Sequence, residues 1–446
     1  MDNTAANKNS DSFGGRWIGP FMVTFWGWTF DLFDLFTLLL VGPIIAPLFF
    51  PSSNYAASIF GIYGAFLVAY LARPFGAAFW GNKSDKEGRK RILLRAAIGL
   101  VITAVLLGLL PTYMMVGIIA PILVILVRLG EGFFVGGLTA GAFTIGPENV
   151  PEKYRGFTSG AGFSAAGTAF FLAGLWFLMT THVFPGASYL VWGWRVMFFS
   201  GIFPLAVVLI LNFKVSESSK FENLKRKLHT PFAALFSKKL NLRKTFIIAT
   251  MVTFGWAGLY YITVGFQATY LTVINHIPAS SIALVIVVSS IGMMLGPTIG
   301  GILSQYIGRK AMGIIGAPIT IASAFIFLII KNLGSTDIGS IMLWYGMLSF
   351  FVDLGGGFLL VYLNEIYPTA VRSSGVAFTW NFAFTIGAMS PVILSALAAI
   401  YGFGILTTAE IVGIILITLI GLVGILISPE TRGRLDRNTE TEDVPI

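Results

Sequence analysis

The residues with chemistry to offer are Asp31, Asp34, Arg73, Arg128, Glu131 and Asp353, each set inside a long apolar run. A charge in hydrocarbon is expensive, so an ionisable side chain at that depth is a functional candidate by default. Asp31 and Asp34 stand three residues apart and share a helix face. Two carboxyl groups that close in low dielectric do not both ionise readily, so the spacing points to a proton held or shared by the pair. A carboxyl group that titrates and faces each side of a membrane in turn is what proton coupling requires. The plainer reading is a buried acid hydrogen-bonded to a neighbouring helix; of the two, Asp34 is slightly preferred as the coupler. Arg128 and Glu131 have the same spacing and are expected to pair. That pair is either static or opens when Glu131 takes a proton or a substrate anion engages Arg128. Arg73, placed about two turns from a helix end, either contacts substrate or snorkels to the interface. Asp353 precedes Gly355-Gly356-Gly357 and reads as a second proton site or a substrate ligand. Tyr260, Tyr261, Gln267 and Asn381 are uncharged candidates for lining a cavity, with Trp256 and Trp380 as stacking surfaces. Aromatic side chains in membrane helices more often pack or anchor than bind.

The elements that carry these residues follow from composition. The chain has 446 residues, 56% hydrophobic and 11% charged, with a mean hydropathy of +0.83. Soluble globular chains of this length do not have that balance. The reading is an all-α membrane protein. A span takes roughly 20 apolar residues, and the sequence divides into twelve such spans. Loops after even-numbered spans hold the basic residues: Lys83 to Arg91, Lys153 and Arg155, the run Lys214 to Lys244, Arg309 and Lys310, and Arg372. Loops after odd-numbered spans are nearly uncharged. That bias places the basic loops and both termini in the cytoplasm. The net charge of +9 therefore reflects topology and attraction to lipid headgroups, not nucleic acid. Cysteine is absent, which excludes disulfides and thiolate chemistry. His182, His229 and His276 fall at or near loops, so no metal site is expected. No nucleotide-binding fingerprint, nucleophile cluster or cofactor motif appears, which argues against ATP-driven transport and against an enzyme. The N-terminal Met1 to Arg16 is polar, with no signal-peptide core, and reads as a cytoplasmic tail.

Gly81 to Arg91, GNKSDKEGRKR, is the densest polar stretch between spans and reads as a tight loop, with Asp85 just ahead of the next helix. Glu148-x-x-Pro151-x-x-x-Arg155 recurs as Glu365-x-x-Pro368-x-x-x-Arg372, and Gly88-Arg89-Lys90 as Gly308-Arg309-Lys310, each about half the chain later. Ser216-Glu217-Ser218 has a weaker echo in Pro429-Glu430-Thr431. Each pair lies on one membrane side, so the repeat is parallel. The division is a tail 1–17, a six-helix half 18–213, a cytoplasmic linker 214–244 with a short amphipathic helix near 231–236, a second six-helix half 245–427, and a tail 428–446. Ser159 to Gly167, rich in small residues, reads as a close helix contact.

The Gly81–Arg91 pattern resembles the signature loop of the major facilitator superfamily. Arg128-x-x-Glu131-Gly132-x-x-x-Gly136-Gly137 resembles its fourth-helix motif. Leu71 to Gly76 and Phe49-Phe50-Pro51 are similar to the metabolite:proton symporter branch, as Asp31 to Phe36 is to lactate, sialate and phosphate symporters. Ser428 to Gly433 resembles the end motif of sugar porters. The resemblance implies twelve helices in two pseudo-symmetric halves, a midplane cavity and alternating access. It implies that Asp85, Arg89, Glu148, Arg155, Glu365 and Arg372 clamp the halves together at the cytoplasmic side. Gln305 stands where the second half lacks the acid that Asp85 supplies, so a weaker latch is expected there. The expected function is proton symport of a small polar metabolite across the cell membrane by a monomer. An organic carboxylate is preferred because Arg73 and Arg128 are available; a sugar or polyol is the alternative, and an organic cation a third option.

Overall fold

An apolar run of hydrocarbon length satisfies its backbone in a membrane by forming an α-helix. In this computed structural model the described residues are 17–202, 232, 235–236, 242–327 and 337–437, and the side chains of Asp85, Arg89, Ile145 and Ala370 lie outside the description. The first part of the chain contributes α1 (Ile18–Phe49), α2 (Tyr55–Glu87), α3 (Arg89–Leu109), α4 (Ile119–Asn149), α5 (Arg155–Val183) and α6 (Trp194–Phe199). The second contributes α7 (Leu242–Tyr260), α8 (Gln267–Val273), α9 (Ala279–Ile307), α10 (Arg309–Phe325), α11 (Ile338–Leu354), α12 (Leu359–Ile366), α13 (Arg372–Gly387), α14 (Met389–Tyr401) and α15 (Leu406–Ile427). Among the described residues, 10 helical segments are long and apolar enough to cross a membrane. The short α6 and α10 stand at the sixth and ninth expected spans and lead towards residues outside the description. Most of the expected linker, with the amphipathic helix near 231–236, also lies outside it. Of that stretch, Phe232 and Phe236 pack on Phe378.

Local chemistry explains where helices begin and end. Asn54 caps α2 by accepting from the Ala56 amide at 3.0 Å, and Asp337 caps α11 by accepting from Gly339 and Ser340. The expected loop over 81–91 is absent. Instead α2 continues through the polar residues to Glu87, and Asp85 lies in its last turns rather than ahead of α3. Nothing in Asn82 to Glu87 stops a helix; Gly88 does, with φ 108° and its amide on Ser84 O at 3.2 Å. Gly308 repeats this between α9 and α10, with φ 101° and its amide on Ser304 O at 3.1 Å. Only glycine adopts that conformation without strain. The tenth expected span is also interrupted, between Leu354 and Leu359. Three consecutive glycines favour helix poorly, and each faces a neighbour: Gly355 meets Gly316, Gly356 meets Trp256 and Gly357 meets Pro297.

The bundle is apolar outside and polar within. Ile98, Ile102, Leu106 and Leu126 are exposed, whereas all six ionisable residues singled out above are buried. Lipid is as apolar as leucine, so close packing and polar contacts must hold such helices together. Two long contacts join the two parts of the chain: α5 lies along α9, and α2 lies along α13 and α14. The Ser159–Gly167 run serves the first, with Gly160 against the Pro297 backbone. Within the first part, α2 and α4 approach so closely that a Cβ on Gly132 would overlap the Ala69 carbonyl. Gly132→Ala should therefore cost about 1–3 kcal/mol by overpacking. Thermal unfolding of the detergent-purified protein reads this. Gly64→Ala, where a Cβ would meet nothing within 4 Å, should leave the midpoint unchanged or raise it.

Candidate functional site

Five of the buried ionisable residues form one network between α1, α2 and α4. Arg73 Nη2 donates to Asp31 Oδ1 at 3.1 Å, and its guanidinium lies 3.9 Å from the centre of the Tyr70 ring. Arg128 Nη1 lies 2.6 Å from Glu131 Oε1 and 3.4 Å from Asp34 Oδ2. Each of the five is at most 4% exposed. Arg128 and Glu131 thus meet as their spacing implies. Asp31 and Asp34 do not face one another as a proton-sharing pair; each is drawn to a different arginine. Residues three apart on a helix diverge by about 60° around its axis, enough for Asp31 to reach α2 and Asp34 to reach α4. Arg73 does not snorkel, because α2 runs on to Glu87 and leaves it deep inside the bundle. Arg73 Nε, Arg128 Nε and Arg128 Nη2 are buried donors with no hydrogen-bond partner among the described residues.

Beside the network lies a sealed cluster of rings. Trp28 of α1 packs edge-on against Phe163 of α5 at 4.6 Å and Trp380 of α13 at 5.3 Å. Phe163 in turn meets Trp256 of α7 at 4.6 Å, and Trp256 meets Tyr260 at 5.4 Å. Asp353, at the end of α11, lies beside the Trp256 indole; neither its carboxylate oxygens nor the indole N–H has a partner in hydrogen-bonding geometry. The Tyr260 hydroxyl is likewise unpaired, as are both polar atoms of Gln267. Asn381 donates to Ala377 O at 2.8 Å and keeps its Oδ1 free. Tyr261 donates to the Tyr70 hydroxyl, and Thr385 donates to the Tyr70 carbonyl at 2.6 Å, so both tie the second part of the chain to α2. A cavity of about 60 Å³ is lined by Trp256 together with Gly255, Gly316, Gly355 and Thr418. It borders the ring cluster, not the arginines.

The recurring motifs meet crosswise at the end of the bundle marked by Gly88 and Gly308. Arg372 Nη1 donates to Glu148 Oε1 at 2.9 Å, with both side chains fully buried. Their counterparts Glu365 and Arg155 lie within electrostatic reach of one another, and Arg309 Nη2 pairs with Glu365 Oε1 at 3.4 Å. The side chains of Asp85 and Arg89 lie outside the described residues. Gln305 was expected to mark a weak latch, yet it bridges the two parts directly. Its Oε1 accepts from the Gly156 amide at 3.0 Å and its Nε2 donates to Glu152 O at 3.2 Å. An amide both donates and accepts, so it replaces charge with geometry. An acid does act nearby, within the second part of the chain: Glu430 accepts from the amides of Arg309, Lys310, Thr431 and Arg432. Partial burial would raise its carboxyl, but those four donors outweigh burial and hold it below the usual range. Its support for the start of α10 is present above the ordinary carboxylate range and is lost as pH falls through the depressed value.

Two participants, Trp28 and Tyr70, and one buried acid apart from the site, Glu410, are not among the residues singled out from sequence. Trp28 is one among several tryptophans, and nothing local marks it. Tyr70 stands three residues before Arg73, the spacing that brings a ring under a guanidinium. Glu410 is a lone acid within an apolar run, 1% exposed, with Oε2 unpaired.

A helical bundle with a lipid-like exterior and a buried, partly unsatisfied charge network is the build of a membrane transporter. The profile of the Major Facilitator Superfamily matches residues 32–391, and the chain belongs to that family. It is a multi-pass membrane protein and a secondary transporter of small metabolites, not an enzyme. It is 29% identical over 418 residues to the inner membrane metabolite transport protein of Escherichia coli, covering 91% of this chain and 92% of that protein. It is 30% identical over 383 residues to the glycine betaine/proline/ectoine/pipecolic acid transporter of Dickeya dadantii, covering 81% and 74%. Its fold matches a proton:xylose symporter bound to 6-bromo-6-deoxy-D-glucose, with a TM-score of 0.72 at 18% identity, covering 95% of this chain and 98% of that one.

The Asp31–Arg73 geometry has a direct consequence for stability. Arg73→Gln leaves a buried carboxylate without its partner and should cost about 3–5 kcal/mol. Adding Asp31→Asn should recover most of that loss. Denaturation of the two single variants and the double variant in micelles measures the coupling; strictly additive losses would show that the contact contributes nothing.

Proposed function

We propose that the protein is a proton symporter for a small organic carboxylate, acting by alternating access around the Asp31–Arg73 and Arg128–Glu131 network. The observation that carries this reading is the unpaired edge of Arg128. Nε and Nη2 form one side of the guanidinium fork and match the two oxygens of a carboxylate. The network also supplies a reason for coupling. Three carboxylates against two guanidiniums leave one negative charge when all are ionised. Burial penalises that charge, so the network takes a proton, and an arriving carboxylate favours another. Asp31, Asp34 and Glu131 are the proton-holding groups, with Asp353 as a further one. Gln267, Tyr260 and Asn381 offer unpaired polar atoms for the rest of the substrate.

The relative from Dickeya dadantii supports the carboxylate, since glycine betaine, proline, ectoine and pipecolic acid all carry one. They also carry a cationic nitrogen. A zwitterion is accordingly the second reading, favoured by the rings of Trp28, Trp256 and Trp380, of which Trp256 lies beside the unpaired Asp353, a setting suited to a cation. A sugar or polyol has only the likeness of fold behind it. The accompanying architecture is twelve helices in two pseudo-symmetric halves, 18–213 and 245–427, joined by a cytoplasmic linker 214–244. Both termini are cytoplasmic in this reading, and a monomer works in the cell membrane. Glu148, Arg155, Gln305, Glu365 and Arg372 form the cytoplasmic gate, which Asp85 and Arg89 join on the sequence pattern.

A thermal-shift panel tests the substrate class. A carboxylate at about 100 times its Kd should stabilise the protein by about 2.7 kcal/mol, and Arg128→Gln should abolish that shift. Stabilisation by neutral sugars alone would end the carboxylate reading. In proteoliposomes, Asp31→Asn or Asp34→Asn should lose proton-driven accumulation while keeping downhill exchange. Accumulation by both variants would remove this pair from coupling. For the gate, Arg372→Gln and Gln305→Ala should each lengthen the distance between probes at Lys153→Cys and Tyr306→Cys. A tenfold change in the open fraction takes only about 1.4 kcal/mol, and unchanged distances would reduce these contacts to packing.

A further inference from the structure

Glu410 belongs to neither the network nor the gate. It lies one turn inside α15, which starts just after the Gly402 turn at the end of the bundle opposite Gly88 and Gly308. It is 1% exposed and its Oε2 has no partner. The charged residues on helices packed against α15 are Arg243, Lys244, Arg309 and Lys310, all at the starts of α7 and α10, at the basic end. Tyr401 on α14 is exposed. The titratable groups that feel the Glu410 carboxylate are Tyr270 of α8 and Tyr345 of α11. Tyr345 is itself buried, with an unpaired hydroxyl. Neither tyrosine supplies positive charge, so among the described residues this carboxylate has no counter-ion.

Position makes this more than an awkward acid. Tyr270 hydrogen-bonds Thr407, three residues before Glu410, at 2.8 Å. The preceding residue, Thr269, hydrogen-bonds Tyr63 of α2 at 2.9 Å. The short helix α8 is thus held on one side by the first part of the chain and on the other by the Glu410 cluster. We infer that Glu410 is a proton-binding site, separate from the central network, whose protonated form holds α8 in the arrangement that closes this end of the bundle. A neutral carboxyl can offer its O–H to the facing hydroxyls and costs little to bury. Opening this end admits water and lets the group ionise. One proton is bound on closure and released on opening, and the inference does not depend on which substrate is carried.

The chain has no cysteine, so probes can be placed at will. Ser53→Cys and Ser280→Cys put labels on exposed positions on either side of this end. In reconstituted protein otherwise unaltered, raising pH from about 5 to about 9 should lengthen the distance, the opening equilibrium moving by up to about tenfold per pH unit for one proton. Glu410→Gln, which mimics the protonated acid, should keep the distance short at every pH. Tyr345→Phe keeps the acid but removes a facing hydroxyl and should displace the midpoint of the pH response. The idea is overturned if the unaltered protein shows no pH response, if Glu410→Gln follows it, or if the Tyr345→Phe midpoint stays in place. Closure by sodium at fixed pH, lost in Glu410→Gln, would make this a cation site instead. Failure of Glu410→Gln to fold while Glu410→Asp folds would show that the native state needs the charge, which contradicts the inference.

Discussion

The rest of the structure depends on neutralising charge where water is scarce. Asp31 and Asp34 sit on one helix yet are satisfied by arginines from two others, so α1 is tied to α2 and α4 at a single level. The surrounding apolar surface offers little cohesion of its own, because lipid tails solvate it equally well. Ion pairs, glycine contacts and backbone-directed hydroxyls therefore decide which helices are neighbours. The same scarcity makes the unsatisfied groups informative. Guanidinium N–H groups are costly to leave unpaired, and here both Arg73 and Arg128 carry such groups.

Contacts between the two parts of the chain are made at both ends of the bundle. Tyr63–Thr269 lies towards one end, Tyr70–Tyr261 near the middle, and Glu148–Arg372 and Gln305–Gly156 at the other. The ring cluster between them is sealed. This is a closed arrangement, held by one set of contacts at each end. The sets differ in kind. Hydroxyl hydrogen bonds exchange readily for water, whereas a buried ion pair must be rehydrated as it opens.

Much of this was legible in the sequence because membrane thickness and the cost of charge act on single segments. The lengths of most spans and the Arg128–Glu131 pair are properties of one stretch at a time. The Asp31–Arg73 pair is not, since spacing along α1 says nothing of which helix stands opposite. Asp85 was misplaced because a polar run between spans looks like a loop, whereas helix persists until something stops it, here Gly88. Gln305 was undervalued for lacking charge, although an amide can bridge two backbones at once. Nothing local distinguishes Glu410, an acid a few residues inside a span, from an interfacial one; only the packing of α8 and α11 shows it enclosed. Asp353 was found because it interrupts an apolar run, but its place beside Trp256 comes from the break after Leu354.

The crosswise meeting of Glu148 with Arg372, and of Glu365 with Arg155, has a meaning beyond closure. Each motif supplies an acid to the other's base, so the contact is self-complementary, the mark of an isologous interface. A polypeptide carrying one copy of the motif would have the means to recognise a second copy of itself. Covalent joining of the repeats then adds proximity to a recognition already present, turning a concentration-dependent encounter into an intramolecular one. Once joined, the copies are free to differ, as Gln305 does from Asp85, because neither needs to match itself any longer.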